Sequence, residues 1–238
     1  MKWDRSIGKP EPIKALNRIV ELENNEPLVD LNIVCPSVVI YRSSVVPYLR
    51  KTVADMLNRA SDSLPAGYQL AVVDALRPFQ RQVRIFEWMW GCLEEARPDL
   101  PYSAKRRQIC RFVAPTDQKA PPGHTTGAAV DVWLLDQEGN EVDVNSPHGR
   151  LQGAPTHVYG LTEEAKRNRM ILYHAMMDAG FSNCRDEWWH YSYGDAAWAV
   201  RTGQTTCFYG KVEVDPSLYE DQEDAWLARL HERPNPFL

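Results

Sequence analysis

Nowhere does this sequence run apolar for the ~20 residues that a membrane span requires. Its start, Met1-Lys2-Trp3-Asp4-Arg5, is polar and leads into Pro10 and Pro12, so it lacks the apolar core of roughly 7–15 residues that marks a secretory signal. The expectation is a cytoplasmic protein with no membrane partner. Positive charge is also short: 27 Lys and Arg against 32 Asp and Glu leave a net charge of -5. A surface that tracks nucleic-acid phosphates needs clustered cations, so no nucleic-acid partner is expected. The runs Lys105-Arg106-Arg107 and Lys166-Arg167 are short and read as solvated helix faces. Cysteine is sparse and odd in number, with Cys35, Cys92, Cys110, Cys184 and Cys207 widely spread and no Cys-x-x-Cys pair. That excludes a disulfide framework and a thiolate zinc site, and leaves buried small hydrophobes. No internal repeat and no low-complexity segment is present.

What is there suits a globular chain. Hydrophobic residues make up 44 %, with 8 Trp and 10 Tyr, and 238 residues fit one core, which can grow to roughly 250. Residues 1–42 form an extended N-terminal segment, with strands expected at Leu28–Leu31 and Val38–Tyr41 on the outside. Val46, Leu49, Val53, Met56, Leu57 and Ala60 recur at helical spacing, which predicts a helix from about Pro47, capped by Ser43 or Ser44 and stopped before Pro65. Tyr68–Val73 reads as a buried strand, 78–96 as a helix and 103–114 as a shorter one. Ala128–Leu135 is a strand whose turn, Asp136–Asn140, leads to a partner strand near Val142. After a long loop over 145–160, Thr162 opens a helix that Gly180 stops. Trp188–Tyr193 and Cys207–Tyr209 read as strands and 218–230 as a terminal helix. The composite is α+β in a single domain, 1–238, with a small, mostly antiparallel sheet flanked by helices.

Two segments place polar groups where a buried strand is expected. In Gly123-His124-Thr125-Thr126-Gly127-Ala128-Ala129-Val130-Asp131-Val132, Asp131 sits inside an apolar run, where an unpaired carboxylate is costly and a metal cation would remove the cost. In Asp186-Glu187-Trp188-Trp189-His190-Tyr191 a carboxylate precedes an imidazole by three residues. Zinc at a catalytic site takes three protein ligands of these types and keeps one position open. His124, Asp131 and His190 supply the three, which leaves Glu187 as the base. Residues 187 and 190 would face opposite sides of a regular strand, so Glu187 belongs in the loop before it. His124 belongs in the turn before the strand that carries Asp131, with Gly123 and Gly127 allowing close approach. A third segment, Val73-Asp74-Ala75-Leu76-Arg77-Pro78, offers Arg77 as a fixed cation for a developing oxyanion, with Asp74 orienting it or merely pairing with it. Trp188 and Trp189 read as pocket wall and core, His174 as packing, and His148 and His157 as exposed loop residues.

These three segments resemble the zinc D-alanyl-D-alanine dipeptidases, within the metallopeptidases related to bacterial D,D-carboxypeptidases. The resemblance rests on Asp74-Ala75-Leu76-Arg77-Pro78, on His124 with Gly127 and Asp131, and on Glu187-Trp188-Trp189-His190. It makes 45–195 the catalytic core and 196–238 an extension. It implies one zinc per chain, held at the sheet by His124, Asp131 and His190, with Glu187 as base, Arg77 at the transition state and a small peptide as substrate. Self-association into a homo-oligomer is left open. Pro122 stands where such enzymes often carry a Ser, and their Met-Gly-x-x-Phe-Asp stretch has no counterpart beyond a displaced Asp143. A D,D- or L,D-carboxypeptidase, a peptidase or amidase of other specificity, and a non-enzymatic zinc module are the alternatives.

Overall fold

The apolar runs around Val72 and Val132 become neighbouring strands because pairing lets both bury their even-numbered side chains in one core. The computed structural model describes residue 4 and residues 6–145, 153–230 and 232–238. Its main sheet has five strands in the spatial order Val39–Ile40, Gln69–Asp74, Ala129–Leu135, His190–Ser192 and Ser182–Asn183. The first pair is parallel and the other three are antiparallel.

Alternation along the two central strands divides their side chains between two environments. Leu70, Val72, Val130, Val132 and Leu134 join Val53, Leu57 and Ala60 of the helix Lys51–Asp62, and Leu172 and Met176 of the helix Glu163–Asp178, in one core. Each fully buried Leu or Val there contributes about 1.5–3 kcal/mol over leaving it in water. Asp131 falls on the opposite face and borders a cleft. A second apolar cluster of Met89, Leu93, Ile109 and Val113 joins the helices Phe79–Ala96 and Tyr102–Ile109, with Phe237 of the C-terminal tail packed against it.

The α+β architecture with its mostly antiparallel sheet is as expected, but several elements differ. The helix expected from Pro47 starts at Lys51, because Tyr48–Arg50 pairs antiparallel with Leu28–Asp30 as a small separate sheet. Val39–Ile40 does not lie outside but adds an edge to the main sheet. The turn after Leu135 forms, with Asp136 accepting from the Asn140 N–H, yet its partner reduces to one bridge at Glu141. Trp188 and Trp189 are in a turn, and only His190–Ser192 is strand. The strand expected at Cys207–Tyr209 is Thr206–Cys207, paired with Val20–Glu21. Lys105 is not on a solvated face but buried against Glu94 at 2.5 Å. His174 is exposed, its ring edge-on to Tyr173 rather than packed in a core. His148, with the rest of 146–152 in the 145–160 loop, lies outside the described residues. Among the described residues no helix is long and apolar enough to cross a membrane.

Candidate metal centre

Strand register assembles a polar row on the cleft side of the sheet. Asp131 pairs with His190 on one side and with Asp74 on the other. The second pairing depends on a slip in register between Val72 and Asp74, without which Val73 would stand opposite Asp131. Directly opposed residues share a face, so three polar side chains line up across three strands.

His124 arrives from a separate turn. The 3₁₀ turn Gly123–Thr126 is braced by the Thr125 and Thr126 hydroxyls, which donate to the carbonyls of Pro122 and Gly123. It ends at Gly127, whose φ of +70° is left-handed and where a Cβ would sit 2.5 Å from Leu28. The Arg77 N–H donates to the His124 carbonyl at 3.0 Å, which holds this turn against the end of the Gln69–Asp74 strand.

The donor atoms then converge. His190 Nδ1 lies 2.9 Å from Asp131 Oδ1, His124 Nε2 lies 3.2 Å from the same oxygen, and the two ring nitrogens are 3.2 Å apart. Ligands bound at about 2.05 Å around a tetrahedral ion stand roughly 3.3 Å from one another, so the three atoms already fit three corners. Nδ1 of His124 lies 2.8 Å from the Ala75 carbonyl, which makes it the protonated nitrogen and leaves the Nε2 lone pair to face the cluster. Burial acts to raise the Asp131 carboxyl, but the two imidazoles outweigh it and hold it well below the carboxylate range. Two imidazoles and one ionised carboxylate are a donor set that could hold a divalent ion.

Glu187 sits in the loop before the His190 strand, its N–H bonded to Cys184 and its carbonyl to the His190 N–H. Burial, reinforced by the Asp131 charge, pushes its carboxyl well above the ordinary range, with Arg77 partly opposing. Burial works against the Arg77 charge, but Asp74, Asp131 and Glu187 together keep it a cation. Its Nε and Nη2 donate to Asp74 Oδ2 at 3.0 and 2.6 Å, and its Nη1 donates to Gln82 Oε1 at 2.7 Å. Gln82 is fully buried and its amide is tied to the Ala114 carbonyl, so this guanidinium is clamped at both ends.

Residues 35–209 match the family model described as D-ala-D-ala dipeptidase, Peptidase_M15. The chain belongs to this family. Two curated D-alanyl-D-alanine dipeptidases are similar to it. One, from Synechocystis, is 35 % identical over 39 % of this chain and 45 % of its own length. The other, from Escherichia coli, is 29 % identical over 60 % of this chain and 65 % of its own length. The matches thus span less than two thirds of either relative. A solved vancomycin-resistance D,D-pentapeptidase with Zn(II) overlaps 80 % of this chain and 95 % of its own at 15 % identity, with a TM-score of 0.44.

Parts of the chain outside the family match also reach the site. The polar row opens into a cleft of about 1320 Å³ that Asp74, Arg77, His124, Asp131, Glu187 and His190 all border. Pro10–Ile13 and the C-terminal stretch from Trp226 to Leu238 contribute to its walls. Asp143, the displaced acid, does not border this cleft but a separate hollow of about 330 Å³, with Trp133, Trp188 and Trp189. Pro122 borders the main cleft, Trp188 is buried and Trp189 touches both cavities. His157 is half-buried, edge-on to Tyr173 at 5.4 Å. Gln82 escaped sequence reasoning, although a polar residue at a buried position of the helix Phe79–Ala96, five residues after Arg77, is the signal that points to it.

Proposed function

We propose that this chain is a zinc-dependent dipeptidase that takes one zinc on His124, Asp131 and His190 and cleaves a small peptide, with D-alanyl-D-alanine as the expected substrate. The observation that carries the reading is the meeting of two ring nitrogens and one carboxylate oxygen, from three separate segments, at 2.9–3.2 Å. The names of the curated relatives support the choice of substrate.

A zinc ion held there supplies a Lewis acid that polarises the scissile carbonyl and makes water a stronger acid. Glu187 takes the proton from the attacking water, and its raised affinity for protons suits that role. As the carbonyl oxygen gains charge, Arg77 faces it already desolvated and fixed by Asp74 and Gln82, so little reorganisation is needed. Glu187 then returns its proton to the departing amine nitrogen as the C–N bond breaks. A second reading, trimming of longer peptides at the same centre, draws on cleft size: about 1320 Å³ exceeds the roughly 300–1,000 Å³ of ordinary small-ligand sites.

The test combines one substitution with one substrate panel. Glu187→Gln should lower kcat by about 10²–10⁴-fold while zinc content stays near one per chain. Undiminished turnover in that variant would remove Glu187 from the mechanism. L,L-, D,D- and mixed dipeptides, each with and without chelator, separate the dipeptidase reading from the longer-peptide one when tripeptides and pentapeptides are included.

A further inference from the structure

We infer that Asp195, anchored by Ser192 and Arg201, is a positioning residue for both imidazoles of the proposed metal centre, with Glu11 completing the brace. The inference rests on the metal reading above. Ser192 stands two residues beyond His190 and so shares its face of the sheet, pairing with Ala129 as His190 pairs with Asp131. Its hydroxyl donates to Asp195 Oδ1 at 2.7 Å and accepts a short hydrogen bond from Arg201 Nη2. Arg201 Nε donates to Ser182 Oγ on the edge strand at 3.0 Å, and Nη1 donates to Glu11 Oε1 at 2.8 Å. One guanidinium therefore ties two strands to an N-terminal segment that walls the cleft and lies outside the family match.

The second oxygen of Asp195 connects this brace to the other imidazole. Asp195 is 1 % exposed, and its Oδ2 is buried without a hydrogen-bond partner among the described residues. A Cβ on Gly123 would fall 2.5 Å from that oxygen, so Oδ2 occupies the space beside the residue immediately before His124 and only a glycine fits there. Asp195 also caps the helix Ala196–Thr202, accepting from the Trp198 N–H at 2.6 Å. Capping alone does not account for it, because Asn or Ser caps a helix about as well without burying a charge. A buried carboxylate with one oxygen unpaired is costly. The cost is offset where the charge adds negative potential beside a cationic centre and its bulk holds the turn that carries His124 in place.

Asp195→Asn keeps the volume and the cap and removes the charge. In the full chain we expect it to melt near the wild-type temperature without metal, yet to bind zinc about tenfold more weakly, the low end of what outer partners of metal ligands cost. Competition with a chromophoric chelator reads the affinity, and kcat should fall with KM near wild type. Ser192→Ala, which cuts the link while leaving backbone pairing intact, should weaken zinc binding severalfold, and Glu11→Gln less. Zinc affinity and kcat within twofold of wild type in Asp195→Asn overturn the inference; should that variant not fold, the same result in Ser192→Ala overturns it. Wild-type protein that takes up no zinc sinks the metal reading, and this inference with it.

Discussion

The polar row and the terminal walls of the cleft are built by different means. Asp74, Asp131 and His190 are set by strand register inside the family match, each fixed by backbone pairing with its neighbour. The walls from the two termini are fastened by side-chain charges over long separations. Arg81, 2 % exposed, donates to Glu223 at 2.8 Å, to the carbonyls of Ser44 and Gln222, and lies over the ring of Trp226, which docks the helix Glu220–Leu230. Arg201 does the same for the N-terminal side through Glu11. Register cannot slip without turning every side chain of a strand over, whereas an ion pair can be lost by one substitution. The row thus rests chiefly on the rigid device and the shape of the cleft on the replaceable one, and the Arg201 brace, through Ser192, reaches both.

Breaking the row should cost most. Asp131→Asn keeps the shape but removes the charge between two imidazoles, and the expected outcome is loss of bound zinc by elemental analysis together with activity below detection. Full zinc occupancy in that variant would detach the row from metal binding. Arg77→Gln comes next, with kcat down about 10²–10³-fold, the range for removing one transition-state donor. It also carries a pH signature. In the proposed mechanism Glu187 acts as a base only when ionised, and burial with the Asp131 charge raises its pKa, so the rate should climb along a limb as the pH rises through that pKa. Arg77 lowers the Glu187 pKa, so its removal should move the limb to higher pH. A limb unmoved in Arg77→Gln would show that the two groups do not act on one another.

The same division explains what could be read from the chain. Asp131 was conspicuous because it interrupts an apolar strand, and the three-residue spacing of Glu187 and His190 already required a loop between their roles. Local rules carried that much. Helical spacing across Val46, Leu49 and Val53 concealed the strand Tyr48–Arg50, since its partner Leu28–Asp30 lies about twenty residues earlier and pairing leaves no local mark. The register slip that brings Asp74 opposite Asp131 has no glycine or proline to announce it. Lys105 reads as solvated because the groups that take its ammonium, the Glu94 carboxylate and the Pro98 carbonyl, lie eleven and seven residues before it. The terminal walls were unreadable for the same reason: Glu11 and Arg201 are 190 positions apart, and Arg81 and Glu223 are 142 apart.

The smallest expected effect probes the walls and puts the comparison at greatest risk. Glu223→Ala removes the carboxylate shared by Arg81 and Arg84 and leaves Arg81 with two carbonyl acceptors. Hydrogen bonds to charged groups contribute roughly 1.5–3 kcal/mol each, and the Arg84 pair is half exposed, so a loss of about 2 kcal/mol in stability is expected by denaturant unfolding. Because Trp226 borders the cleft while no row residue touches Glu223, KM should rise a few-fold with kcat nearly unchanged. Zinc content should stay at the wild-type level. If kcat or zinc content instead fell as steeply as in Asp131→Asn, the C-terminal helix would be part of the chemical centre, and the division between a register-built row and charge-fastened walls would fail.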